Sequence, residues 1–195
     1  MNYFMIPILM FVIIAIHEIS HYYAAKIFGI KKIRLSIGAW IPIIKILKNS
    51  TEIIINIIPI VGNTKFDHIE YNKLKLWKKC FIELSGYAIS FITLIIPLRL
   101  FPNLLNQYIG SMRQIYYFVT TGDINELYSI QSVFSNHSGV SPYLNPPTAL
   151  IIFIILQTLN LLLNTLPFPS YDVGRFIRCI ASYITFKISA ILKTK

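Results

Sequence analysis

The stretch Ile13-Ile14-Ala15-Ile16-His17-Glu18-Ile19-Ser20-His21-Tyr22-Tyr23-Ala24-Ala25 decides how the chain is read, because it sets three chemically expensive side chains inside an apolar run. That run extends from Tyr3 to Phe28. At ~1.5 Å per helical residue it is long enough to cross a hydrocarbon core of ~30 Å with some tilt. On a helix, His17 and His21 are four residues apart and project from one face, a turn above each other, so two imidazoles can hold one metal ion. Glu18 stands beside them, placed to take a proton from water. The alternative is a pair of helix histidines satisfied by neighbouring polar groups. It is the weaker reading, since ionisable groups inside a membrane span are costly without a role.

His-Glu-x-x-His at this spacing is the arrangement of zinc-dependent peptidases, in which the glutamate is the general base. With four histidines in 195 residues, chance is a poor explanation. Working outward, hydrophobic residues make up 55% of the chain and charged residues 13%, with a mean hydropathy of +0.61. These values describe an integral membrane protein of a few spans, with no room for a large soluble domain besides. The formal net charge of +10 would suggest nucleic acid in a soluble protein. Here Lys and Arg flank apolar runs, so no nucleic acid is expected, and orientation and anionic lipid explain them. Lys26, Lys31, Lys32 and Arg34 follow the first span, which places the N-terminus outside and His21 near the cytoplasmic end of a multi-pass cell-membrane protein. Cys80 and Cys179 are isolated and read as free thiols.

Residues 1–29 form the first span, and Gly29 stops it. From 33 to 66 the pattern changes: Ile33, Leu35 and Ile37 alternate, and dense isoleucine is punctuated by Gly38, Pro42, Asn49-Ser50 and Pro59. This predicts a short strand pair that re-enters the membrane, buried in protein or lining a wet cavity because open strand edges cannot face lipid. An edge strand could also take up an unwound peptide, a role that proline at Ile54, Ile55 or Ile57 would test. A second span over 80–98 carries Ser85, Gly86, Ala88 and Ser90, small residues read as a helix-packing stripe. Glu83 near its cytoplasmic end is read as an interfacial carboxylate beside Lys79. Residues 101–147 read as an extracytoplasmic loop with room for one or two interfacial helices, and His137 as a surface residue. A third span over 148–166 carries Asn160 and Asn164 on one face and breaks at Pro167 and Pro169. Asp172, one of three aspartates, follows this break and can bend back as a third metal ligand, or cap the next helix. Residues 176–195 form a last apolar helix, either spanning or interfacial.

Together, His17-Glu-Ile-Ser-His21 and Asn164-Thr-Leu-Pro167-Phe-Pro-Ser-Tyr-Asp172 carry a resemblance to the site-2 protease family of intramembrane zinc metalloproteases. Ile58-Pro59-Ile60-Val61-Gly62 and Leu84-Ser85-Gly86-Tyr87 add weaker likenesses to its re-entrant β segment and small-residue motif. The resemblance covers most of residues 1–175. It implies one membrane-embedded domain over 1–195, all-α, with three core transmembrane helices, a short re-entrant β segment and a C-terminal apolar helix. It implies Zn2+ held by His17, His21 and Asp172, Glu18 as general base, and Asn164 stabilising the oxyanion or holding substrate. It also implies cleavage of transmembrane segments of other membrane proteins. Departures from the family pattern are Val173 for glycine, Tyr171 for leucine, and Tyr87 and Ser90 for proline and asparagine. The competing reading is a catalytically silent metal-binding or transport protein of the membrane.

Overall fold

The computed structural model describes residues 5–122 and 148–193. His137 and the rest of 123–147 lie outside the described residues. In chain order the elements are α1 (Met5–Ile27), β1 (Ile33–Lys48), β2 (Thr51–Phe66), α2 (His68–Asn72), α3 (Leu76–Leu100), α4 (Pro102–Thr121), α5 (Thr148–Thr165) and α6 (Asp172–Lys193). They fall into two units. One comprises Met1–Thr93 with Ile155–Lys195, and the other Leu94–Ile154.

The first unit is built on α1, whose helix ends where Gly29 takes a φ of +88°, a conformation natural to glycine. Ile33, Leu35 and Ile37 of β1 alternate inward, as the period-two pattern requires. Ile33 joins Ala24, Ala25 and Ile82, while Leu35 and Ile37 close over Ile14. The two strands form one sheet whose register runs in both senses. Ile33–Ile37 lies parallel to Thr51–Ile55 and, on its other side, opposite Phe66–Gly62 in reverse; Lys48–Ile44 folds back on Thr51–Ile55. Asn49 and Ser50, both at positive φ, make that last turn, the geometry that matches strand twist. The bend within β1 falls at Gly38, φ +85°, where an added Cβ would lie 2.9 Å from the carbonyl oxygens of Asn56 and Ile58. Asn56 fixes the bend by donating to Ser36 Oγ and to the carbonyls of Ile37 and Gly38.

The expected all-α fold with three core spans and a C-terminal apolar helix is therefore corrected. The sheet is a substantial element of two 16-residue strands. Among the described residues, only α1 and α3, of 23 and 25 residues, are long and apolar enough to cross a membrane. The expected third span supplies only the shorter apolar helix Ala149–Thr165. The break before Pro167 ends it, and its Gln157 is buried against Ser90 O and Thr93 Oγ1. The last helix, α6, carries Arg175, Arg178 and Lys187 along its length and is amphipathic rather than apolar. In the second unit, α4 is a helix within the stretch read as an extracytoplasmic loop with one or two helices, and its Tyr116 and Tyr117 are exposed edge to edge.

Candidate metal centre and active site

Helical periodicity alone brings the first two candidate ligands together: His17 and His21 Nε2 are 3.3 Å apart on the inner face of α1. The third arrives from α6. Asp172 Oδ2 lies 3.2 Å from His17 Nε2 and Oδ1 3.2 Å from His21 Nε2. One potential ligand atom from each residue falls within 4.8 Å of the others. All are shielded from solvent: exposure is 5% for His17, 1% for His21 and 1% for Asp172.

Asp172 reaches the pair because the chain turns tightly between α5 and α6. Tyr171 N donates to Phe168 O and Arg175 N to Tyr171 O. An added Cβ at Gly174 would overlap the Phe168 carbonyl, so only glycine lets this turn close. Asp172 opens α6, where the helix dipole also favours a negative charge.

Each histidine is oriented from behind. His21 Nδ1 donates to Ile82 O at 2.7 Å, since a carbonyl can only accept, which turns the Nε2 lone pair toward Asp172. His17 Nδ1 lies 3.1 Å from Ser90 Oγ, which also accepts from Asn160 Nδ2. The stripe read as helix packing therefore contributes directly to the site through Ser90, and through Ser85, 3.1 Å from His21 Nδ1. Gly86 contributes by what it lacks. A Cβ there would collide with His21 Nε2 and stand 2.6 Å from His17 Nε2, filling the space that the two rings face.

Glu18 is 5% exposed and is held from the sheet. Thr64 Oγ1 donates to its Oε2 at 2.6 Å, and a Cβ on Gly62 would overlap the Glu18 side chain. Glu83 is no interfacial partner of Lys79: it is buried, accepts from Tyr71 Oη at 2.6 Å and pairs with Arg175. Burial and the Glu83 carboxylate together push the Tyr71 hydroxyl upward, so it remains a donor. Asn164 is not brought to the histidines by any described contact; its Nδ2 donates to Asn160 O and Oδ1 within α5. No signal in one sequence pairs Thr64 with Glu18 or Arg175 with Glu83, since these contacts join distant segments. Only the small size of Ser85, Gly86 and Ser90 hinted at close approach.

These residues suit a divalent cation. Two imidazole nitrogens and one carboxylate lie within 4.8 Å of one another, the donor set of such an ion, and the cradle is shaped by the missing Cβ of Gly86.

No curated protein sequence matches this chain. The model of peptidase family M50 does match, over residues 5–192. With a buried His-His-Asp group able to hold a metal and a glutamate beside it, the chain belongs to peptidase family M50, whose members are membrane-embedded, metal-dependent peptidases.

Proposed function

We propose that this protein is a zinc-dependent intramembrane endopeptidase that hydrolyses peptide bonds within transmembrane segments of other membrane proteins. One observation carries the reading: a buried His17–His21–Asp172 group with Glu18 beside it, in which His17, Glu18 and His21 lie on a helix long and apolar enough to span. Two imidazoles and a carboxylate that leave a fourth position open are a catalytic zinc set. Bound there, zinc would supply a Lewis acid for the scissile carbonyl and lower the pKa of water.

The chain's own residues do the rest. Glu18 takes the proton of the attacking water and passes it to the leaving nitrogen. Thr64 holds Glu18 Oε2, so the carboxylate is oriented before substrate arrives. Asn164 lies one turn beyond Asn160 and serves as a contact for substrate or for the developing oxyanion, releasing its bond to Asn160 as substrate binds. A helical substrate hides its amides in internal hydrogen bonds and must unwind before cleavage. Among the described residues, Gly62–Phe66 pairs only with Ile33–Ile37 in the sheet register. Its other side is an edge that can receive the unwound segment, close to Glu18. Ile54 and Ile55 are paired on both sides, so proline there would break the sheet itself and is a poor test; Asn63→Pro is the better one. The basic residues after α1 support an orientation with the His21 end of the site toward the cytoplasm.

The test is zinc per chain in detergent-purified protein, with cleavage of a transmembrane reporter measured alongside. About one zinc is expected in the wild type, with loss in His17→Ala and Asp172→Ala. Glu18→Gln should keep the metal, bind the reporter and fail to cut it. Wild-type cleavage by Glu18→Gln would overturn the reading.

A further inference from the structure

A carboxylate offers a metal two oxygens, and the surroundings of Asp172 treat them unequally. Arg175 Nη2 donates to Oδ1 at 2.7 Å. Oδ2 is buried and accepts no hydrogen bond, although it lies 3.2 Å from His17 Nε2. Arg175 is itself held from α3: its Nε lies 3.2 Å from Glu83 Oε2, an ion pair without hydrogen-bond geometry, and the other Glu83 oxygen accepts from Tyr71 Oη. The Arg175 side chain is 20% exposed, so little water competes for it.

We propose that Arg175, anchored by Glu83 and Tyr71, is a positioning residue that occupies Oδ1 of Asp172 and so presents Oδ2 alone to the metal. The inference rests on the metalloprotease reading above and names residues that the reading did not use. The chemistry calls for arginine. Its planar fork engages carboxylates on two different helices at once, whereas a lysine ammonium is a single point charge. Holding one oxygen back keeps the ligand count at three and leaves a position open for water. With Oδ1 released, the carboxylate is free to bind through both oxygens, which raises the coordination number and crowds that position. Glu83 adds a second effect: it confines the guanidinium beside Asp172, although Arg175 Nη2 also lies 3.4 Å from His21 Nε2. Arg175 cannot swing to the solvent side without leaving a buried carboxylate unpaired.

The experiment compares wild type, Arg175→Gln, Arg175→Lys and Glu83→Gln, with Asp172→Asn as the control for the metal reading. Zinc affinity is measured by competition with a chromophoric chelator, and the visible absorption of the Co2+-substituted protein reports coordination number. Arg175→Gln should bind zinc about 10- to 100-fold more weakly. Its Co2+ bands should weaken from four-coordinate toward five-coordinate intensity, and its kcat should fall while KM holds. Arg175→Lys should recover only part of the affinity and not the spectrum. Glu83→Gln should move both in the same direction by less. Wild-type affinity and spectrum in Arg175→Gln, or in Arg175→Lys should the glutamine variant fail to fold, would overturn the inference. Equal metal uptake by wild type and Asp172→Asn would instead remove Asp172 as a ligand, a failure of the underlying reading that the two Arg175 variants do not produce.

Discussion

Helices α1 and α6 meet at the same point by opposite means. α1 is apolar and supplies His17, Glu18 and His21 through its own repeat, so their spacing follows from one turn of helix. α6 is amphipathic and supplies Asp172 from its first turn, where a tight reversal, a glycine and a guanidinium must all be right. Local geometry is thus inherited on one side of the site and assembled on the other. Substitutions that touch the assembled parts should accordingly do graded damage, while those that invade the shared space should do total damage.

The largest effect is expected for Gly86→Ala. Its methyl group would enter the space that both rings face, so metal content and cleavage should both fall to background, with α-helical content unchanged by circular dichroism. Retained metal would mean that α3 does not close on the histidine pair of α1 as tightly as this contact requires. Next comes Thr64→Val, which strips the Glu18 carboxylate of its hydroxyl donor. A hydrogen bond to a charged group contributes about 1.5–3 kcal/mol, so kcat should drop roughly 10- to 100-fold. Metal content should stay intact, and Thr64→Ser should restore most of the rate. This variant sharpens the comparison, because it shows that even α1 depends on the sheet for the aim of its base. Gly174→Ala disturbs only the α6 side, forcing the turn away from the Phe168 carbonyl. Its zinc affinity should weaken about tenfold while the histidine pair remains able to bind, as a chelator titration would show. The smallest effect belongs to Asn164→Ala, whose amide is engaged within its own helix. A loss of roughly 2- to 10-fold in kcat/KM on a transmembrane reporter fits one neutral hydrogen bond. A loss of a thousandfold would place Asn164 at the reacting carbonyl.

What could be read from the sequence follows the same division. The histidine pair and Glu18 were legible because a helix repeats every ~3.6 residues, and Ile33, Leu35 and Ile37 because a strand repeats every two. Asp172 was legible as a rare carboxylate after a double proline, within a motif resembling a known family. Thr64, Arg175 and Glu83 were not, since their partners lie on other elements and nothing in local spacing encodes the pairing. The count of spans failed for a related reason. α5 reads as apolar by composition, but Gln157 and Asn160 turn inward to Ser90, and the proline break limits the helix to 18 residues. The length of the sheet was underestimated because Gly38 and Pro42 look like interruptions, whereas the strand bends at Gly38 and continues.

The contact between His21 and Arg175 spans 154 residues, and that separation has a consequence in time. As the chain is synthesised, the histidine pair and its glutamate enter the membrane long before Asp172 exists. On the zinc-peptidase reading proposed above, a nascent chain in that state lacks both the third ligand and the guanidinium that would steer it, so the centre is complete only once α6 has been made.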